Sequence, residues 1–253
     1  MPTARILFAA AVALVVGASN AHAGVILNTL EGYDNAEPGW SGGVDALFSA
    51  SGGNTERVLL ESGGKVQWQN ESHRWRLQAS GSYEESGGTE TARNVVGHLR
   101  HNRDLPGPWA TVSFAQVQHN PFQRLRSRWL FGFGPRYDFV RDERGLAAVG
   151  FTPMLEIERL DDEVGHTARG RASFFLHLAY KLSPHAQLDG VVFWQPLFSD
   201  VSASRATGNL TLAVDVVGEV DLKVGAVVEH NERAPSGVEK TDWSTFTGLG
   251  VTF

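Results

Sequence analysis

Ser173 and His177 come closest in this sequence to a nucleophile paired with its general base. They share one parity of an alternating segment, so they would lie on one face of a strand. Four residues of extended strand span about 13 Å, whereas a nucleophile and its base need hydrogen-bond reach. His119 and His230 each precede an asparagine near a predicted loop and lack a well-placed serine. We therefore expect no catalytic residues and no enzyme, with a surface-active hydrolase (lipase, deacylase or protease class) as the alternative.

Metal-binding residues are sparse as well. His166 follows Asp161, Asp162 and Glu163, a set that could bind a divalent cation, although acidic loops are more commonly just solvated. The chain has no cysteine, which excludes disulfides and thiolate metal sites. It also lacks zinc-type spacing and a Gly-rich phosphate loop. We expect no metal and no cofactor.

The charge balance bears on the partners. The formal net charge is −6 and no segment concentrates Lys and Arg. A nucleic-acid partner would favour a basic face, so we expect none.

Any functional side chain must be positioned by strands, because period-two alternation dominates the sequence. From Arg171 to Leu182, apolar residues occupy one parity and Arg171, Ser173, His177 and Lys181 the other. The polar parity carries too many charges for a dry core, since burying unpaired charge is very costly. An all-β, antiparallel transmembrane barrel with an apolar outside and a polar inside is therefore predicted.

Twelve segments show this pattern, an even number as bacterial barrels require, with ten or fourteen strands as alternatives. They lie near 40–50, 56–68, 73–83, 92–102, 108–118, 127–140, 145–158, 169–182, 185–198, 207–217, 219–230 and 242–253. Connections after even strands are short (NES, DLPG, RDERG, SP and GE), whereas most of those after odd strands are longer, such as EESGGTE and SDVSASRA. Short turns face the periplasm in such barrels, so both termini should be periplasmic.

The amino-terminal segment has the layout of a secretory signal peptide. Arg5 precedes an apolar run over 6–16, and Ala21-His22-Ala23 offers a small-residue cleavage site. We expect residues 1–23 to be the signal peptide and 24–253 the barrel domain, exported through the periplasm to the bacterial outer membrane.

The inward parity carries a mixture of charges that would line the lumen. These residues are Arg57, Glu61, Lys65, Arg74, Arg76, Arg136, Asp138, Glu156, Glu158, Arg171, His177, Lys181, Asp221, Lys223 and Glu229. Twelve tilted strands close at a backbone radius of about 12 Å, so long side chains permit either a thin water path or a closed wall. Oppositely charged residues should pair across strands, with Arg171 beside Glu156 or Glu158.

The outward parity gathers aromatic residues towards both strand ends, as in the girdles of membrane barrels. The periplasmic girdle would comprise Trp40, Trp68, Trp75, Tyr137, Tyr180 and Phe253, and the outer one Tyr83, Trp129, Phe174, Trp194 and Trp243. Gly132 and Gly134 lie on the inward parity, where a bend of the wall is favoured over a ligand approaching bare backbone.

Three stretches resemble a known family: Trp40 to Thr55, Phe114 to Tyr137, and the closing strand. They are similar to the YdiY-like salt-induced outer-membrane proteins, a family named largely by a domain of unknown function. The Gly52-Gly53 pair departs from relatives that often show one glycine there. The resemblance implies an outer-membrane barrel with no established activity. The closing strand also resembles terminal strands that the barrel assembly machinery reads, which makes Leu249, Val251 and Phe253 the expected assembly signal.

The expected function is non-enzymatic: a narrow passive pore for small hydrophilic solutes, or a structural, stress-related envelope protein. Its expected partners are outer-membrane lipids, the assembly machinery during biogenesis, and small hydrophilic solutes.

Overall fold

The structure is a computed structural model that describes residues 38–52, 56–161 and 164–252, without the side chains of Leu47, Ser49 and Thr252. The predicted signal peptide, the acids Asp162 and Glu163, and Phe253 lie outside the described residues.

Twelve antiparallel strands form the described chain, which confirms the predicted number. They are β1 (Gly39–Ser51), β2 (Arg57–Gln69), β3 (His73–Ser86), β4 (Thr89–Asp104), β5 (Trp109–Asn120), β6 (Leu125–Arg141), β7 (Gly145–Leu160), β8 (Thr167–Ser183), β9 (Ala186–Pro196), β10 (Ser204–Val217), β11 (Val220–Asn231) and β12 (Thr241–Thr252). Each strand pairs with its chain neighbours, and β1 pairs with β12, so the sheet closes into a barrel.

Among the described residues, the closing seam is the shortest pairing of the barrel. Strand β1 pairs with β2 at every position from Gly39 to Ser51, but its described pairs with β12 are Gly43, Val44 and Asp45. Closure leaves no free sheet edge where the seam is paired, as a membrane barrel requires because lipid offers no hydrogen bonds.

One predicted loop is wrong. EESGGTE was expected as a long outer connection, but β3 and β4 continue to a two-residue turn at Gly87 and Gly88. Both glycines have positive φ, 57° and 74°. A type I′ turn needs positive φ at both central residues and matches the twist of the strands, so the hairpin closes tightly.

The connection between β5 and β6 folds into a short 3-10 helix over Pro121–Gln123. The Asn120 side chain caps it by accepting from the Gln123 backbone N–H at 3.1 Å. Arg124 ends it in the left-handed region with φ 55°. This compact turn places the Gln123 and Arg124 side chains at the mouth of the barrel on its predicted outer side, which we call the outer mouth.

The two faces of the wall have opposite polarity. Buried inward side chains include Arg76, His98, Arg136, Glu156 and His177, whereas large apolar side chains cover the outside. This inverts the arrangement of a soluble sandwich and confirms the predicted fold class. Within the described residues, no helix is long and apolar enough to cross a membrane.

Candidate functional site

The outer half of the lumen holds a network of buried ions. Glu158 accepts hydrogen bonds from Arg128 at 2.8 and 2.9 Å and from Arg205 at 2.7 Å. Glu156 pairs with Arg205 and lies 3.1 Å from Nε of Arg171. The expected pairing of Arg171 with one of these acids is therefore confirmed. Because β10 supplies Arg205 and β7 supplies both acids, the network crosses the lumen past β8 and β9.

The mouth above this network is bridged by the β5–β6 turn. The side-chain amide of Gln123 donates to Glu229 at 3.1 Å and to Asp242 at 3.3 Å. Arg124 donates to the backbone carbonyl of Ser236 at 3.0 Å. Strands β11 and β12 stand opposite β5 and β6 in the ring, so the turn spans the opening from wall to wall.

The other outer loops are tied together by exposed ions. Asp200, between β9 and β10, pairs with Arg233, between β11 and β12. Hydrogen bonds from Ser202 hold the pKa of the Asp200 carboxyl below its usual value. Hydrogen bonds from Lys240 and His230 likewise lower the pKa of Glu232. The Asp200 and Glu232 carboxylates therefore stay ionised at neutral pH and keep their ion pairs with Arg233 and Lys240.

Midway down the lumen, an apolar cluster joins strands that are not neighbours in the sheet. Phe175 on β8 packs against Val112 on β5 and Val191 on β9, and Phe193 borders them. The Arg100 guanidinium lies 5.4 Å from the centre of the Phe175 ring, within cation–π range. Phe175 thus fills one side of the barrel at this level.

Glycines make room for the inward aromatic rings. A Cβ at Gly150 would overlap the Phe175 ring, and a Cβ at Gly132 would overlap the Phe114 ring. At Gly134 it would instead strike the backbone of Phe151 on the adjacent strand. Ring packing and close strand approach, rather than a ligand, account for Gly132 and Gly134.

Ser173 and His177 do not form a catalytic pair. His177 Nε2 lies 3.1 Å from Asp189, whereas Ser173 Oγ accepts from the Gln195 amide at 3.3 Å. The side chains of Ser173, His177 and Asp189 are almost fully buried. His177 is therefore hydrogen-bonded to Asp189, while Ser173 is bonded to Gln195.

The lumen widens into a cavity of about 420 Å³ at the end that carries the β8–β9 turn, which is the predicted periplasmic end. The β8–β9 turn, Ser183 to His185, forms part of its rim. Both charge signs line it: Lys65, Arg76, Lys181, Lys223, Asp189, Asp215 and Asp221.

Exposure of inward side chains differs between the two sides of the barrel. On β6 to β9, Glu156 and His177 are 0% exposed and Arg136 is 2% exposed, so no water path adjoins them. On the opposite side, Asp45 is exposed and Glu61 is only half-buried. Apart from Gly39 at the first position of β1, the inward glycines of β1, β2, β11 and β12 form what we call the glycine wall: Gly43, Gly63, Gly225, Gly248 and Gly250.

Open space adjoins one position of the glycine wall. A Cβ at Gly248 would meet no atom within 4 Å, whereas side chains lie over Gly63, Gly225 and Gly250. The described lumen is thus filled along β6 to β9 and looser along the glycine wall.

The predicted lumen residues all fall on the inward parity of the paired strands. They differ in environment: Arg76, Arg136, Asp138, Glu156, Glu158, Arg171 and His177 are buried, Arg57, Glu61, Lys65, Arg74, Asp221, Lys223 and Glu229 are half-buried, and Lys181 is exposed on the periplasmic cavity.

Sequence reasoning missed Arg128, Arg205 and Gln123. Arg128 shares the parity of Arg136, so alternation alone could have assigned it to the lumen. Arg205 was placed in a loop, but β10 begins at Ser204. Nothing in the sequence signals that Gln123 reaches Glu229, which is 106 residues away.

The outward aromatic residues form rows at the strand ends. Trp40, Trp68 and Trp75 are consecutive partners across β1, β2 and β3 near the periplasmic end. Trp109, absent from the predicted girdle, contacts Tyr137 with ring centres 4.9 Å apart. At the outer end, Phe174 stacks on Trp194 at 5.5 Å. The predicted members Tyr83, Trp129, Tyr180 and Trp243 also lie on the outward parity.

The described residues contain no cluster of three or more His, Asp or Glu suited to a metal ion. The acids Asp162 and Glu163 beside His166 are not among them.

Comparison with known proteins relates this chain to a protein family and to solved barrel structures. Residues 44–253 match the family model described as "Protein of unknown function, DUF481". No curated protein matches the chain. The NanC porin superposes with a TM-score of 0.50 at 10% identity, covering 83% of this chain and 98% of the porin.

Two further solved structures are less similar. The translocator domain of the autotransporter NalP from Neisseria meningitidis has a TM-score of 0.46 at 8% identity, covering 84% of this chain and 86% of that domain. The KdgM porin, in complex with disordered oligogalacturonate, has a TM-score of 0.43 at 6% identity, covering 85% and 99%. Of these three structures, the NanC porin alone reaches a TM-score of 0.50, and at 10% identity its likeness concerns the fold alone.

Proposed function

The chain belongs to the DUF481 family of proteins of unknown function, and we propose that it is a narrow passive pore of the bacterial outer membrane for small hydrophilic solutes. The observation that carries the proposal is the uneven filling of the lumen. Inward side chains on β6 to β9 are sealed from water, while Asp45 and Glu61 beside the glycine wall are accessible. A solute path would therefore run off-centre, along β1, β2, β11 and β12.

Charges along this side favour weak cation selectivity. Carboxylates outnumber basic groups among its inward residues: Asp45, Glu61, Asp221, Glu229 and Asp242 against Arg57, Lys65 and Lys223. Rings dominated by one sign select ions strongly, whereas a mixture with a small excess sorts them weakly. The path should exclude oligosaccharides because long side chains narrow it.

Single-channel recording in a planar bilayer tests the proposal. Gly248→Phe would place a ring in open space next to the path and should reduce conductance. Its neighbour Thr247 lies on the outward parity, so Thr247→Phe is a matched control that should leave conductance unchanged. Wild-type protein without conductance, or equal conductance in the two variants, would reject a path along the glycine wall.

A structural envelope role is the second candidate, and the filled half of the lumen favours it. The Phe175 cluster and the Glu156–Glu158 network would make a rigid, closed wall. Complete absence of conductance from protein shown to be folded would support this candidate over the pore.

We infer no enzymatic role. The His177–Asp189 pair is buried, and the buried Ser173 hydroxyl contacts Gln195 instead, which disfavours a surface hydrolase. An absence of lipase, deacylase and protease turnover by folded protein is the expected result, and turnover that survives in His177→Gln would point to another site.

The remaining proposals concern export and assembly. Residues 1–23 would direct export, and the closing strand with Leu249, Val251 and Phe253 would be read by the barrel assembly machinery. Outer-membrane lipids would contact the apolar outside, where Leu77 and Phe133 are more than half exposed.

A further inference from the structure

Two arginines at the outer end of β6 and β7 face outwards without an acidic partner among the described residues. Arg126 lies in a bulge of β6, between buried Leu125 and inward Arg128, and its side chain is exposed. Arg159 on β7 is the direct partner of Ser127 on β6, and it lies on the outward parity. The two arginines therefore project side by side from neighbouring strands, which are about 4.8 Å apart.

Their lack of a partner sets them apart at this end of the barrel. Five other basic side chains there lie against carboxylates, and Arg124 donates to a backbone carbonyl. The five pairs are Arg57 with Glu84, Arg93 with Glu90, Arg169 with Glu158, Arg233 with Asp200, and Lys240 with Glu232. No ion pair forms at Arg126 or Arg159 within the part of the chain that the structure describes. The Nε of Arg159 is also buried without a hydrogen-bond partner.

A histidine adds a third polar group to the pair. His119 on β5 lies on the outward parity, and its Nδ1 donates to the backbone carbonyl of Arg126 at 2.8 Å. This bond fixes the imidazole against the bulge and ties the position of Arg126 to β5.

Apolar side chains lie directly below the basic groups. Trp129 pairs with Val117 on one side and Ile157 on the other, two residues deeper into the wall than Ser127 and Arg159. Trp129 stacks with Phe131 below it, and the two are 44% and 42% exposed. The surface therefore runs from cations to aromatic rings to aliphatic side chains along the membrane normal.

We propose that Arg126 and Arg159, beside His119, bind the phosphate groups of a phosphorylated glycolipid in the outer leaflet, whose acyl chains lie on Trp129 and Phe131. Guanidinium groups bind phosphate through paired, charge-assisted hydrogen bonds, and two neighbouring ones suit a dianionic head group. The amphipathic ligand explains why unpaired cations occur above an apolar face rather than in a loop. The proposal rests on the outer-membrane placement proposed above, but not on conduction.

The test measures lipid binding by folded barrel in detergent, using native mass spectrometry with bisphosphorylated lipid A as the probe. Arg126→Gln with Arg159→Gln should weaken binding at least about tenfold, as expected for losing charge-assisted contacts. Folding should be unaffected because neither arginine forms an ion pair with another described residue, and heat-modifiable migration on a gel checks this. Arg103→Gln is the matched control, since Arg103 is exposed on the outward parity at the periplasmic end of β4.

Three further probes fix the chemistry. Dephosphorylated lipid A should bind wild-type protein as weakly as the probe binds the double variant, and phosphatidylglycerol should bind less tightly than the probe. Inorganic phosphate should not displace the probe at equal concentration. Equal binding by wild type and double variant would overturn the site. Equal binding of dephosphorylated lipid A, phosphatidylglycerol or free phosphate would overturn its assignment to a phosphorylated glycolipid.

Discussion

Glu156 and Arg171 form a buried ion pair across the β7–β8 hairpin, with Oε2 3.1 Å from Nε, although they are not direct partners in the sheet. Glu156 is opposite Arg169, and Arg171 is opposite Met154, so the pair is diagonal. The length of the arginine side chain bridges that offset. Arg205 then reaches the same carboxylate from β10, which makes Glu156 the junction of the lumen network.

Removing the charge at this junction should destabilise the barrel. In Glu156→Gln, Arg171 and Arg205 lose a buried counterion, and breaking a buried pair costs about 3–5 kcal/mol. The half-buried Glu61→Gln provides a control that should change the free energy of unfolding by less than about 1 kcal/mol. Guanidinium unfolding in lipid vesicles, followed by tryptophan fluorescence, measures both. Similar losses of unfolding free energy in the two variants would show that Glu156 contributes no more to stability than Glu61.

The strands could be predicted because polar and apolar residues alternate and the charges fall on one parity. This pattern fits only one orientation of each strand. From Arg171 to Leu182, a register shift of one residue would expose Arg171 and Lys181 to lipid. The sequence therefore determines which side chains of this strand face the lumen. The loop at Gly87-Gly88 was not predicted correctly, because a run of polar residues looks the same in a long loop as in strands ending at a tight turn.

The lumen contacts were beyond sequence reasoning for a different reason. Which inward residues meet across the barrel depends on strand tilt and shear, which alternation does not encode. The contacts of Phe175 with Val112 and of Gln123 with Glu229 both join distant strands in this way. By contrast, the Glu156–Arg171 pair lies within one hairpin, and the sequence did predict it.

The packing of Phe175 over Gly150 should appear as an energetic coupling. Gly150→Ala would push a methyl group into the ring, and overpacking of this kind costs about 1–3 kcal/mol. In a Phe175→Ala background the same substitution should cost much less, because the ring is gone. Gly81→Ala is the control, since its Cβ would meet only the Asn94 carbonyl oxygen at 3.5 Å. Additive free energies in the double variant would contradict the contact.

Ion selectivity should depend on the carboxylates beside the glycine wall. Neutralising two of them, in Asp45→Asn with Glu61→Gln, should shift the reversal potential under a KCl gradient towards anions. Glu71→Gln, in the exposed β2–β3 turn, should leave it unchanged. If the lumen variant behaves like the turn variant, ions do not pass Asp45 and Glu61.

The seam between β1 and β12 should be locked by one engineered disulfide. Val44 and Val251 are direct partners, and both face outwards, with 60% and 41% exposure. Partners across antiparallel strands have Cα atoms about 4.5–5.5 Å apart, within the range a disulfide spans. The chain has no cysteine, so Val44→Cys with Val251→Cys would create only this bond.

The cross-link should form on mild oxidation of the folded protein and change its migration on a non-reducing gel after heating. It should also slow unfolding, because the shortest strand pairing is where separation of the wall is expected to begin. Val44→Cys with Thr245→Cys is the control: Thr245 is six residues from the partner position, about 20 Å along the strand, and should not cross-link. Conductance should be the same with and without the disulfide, because the proposed path runs through the lumen and does not cross the strands of the wall. A cross-link to residue 245 instead of 251 would show that the barrel closes in a different register.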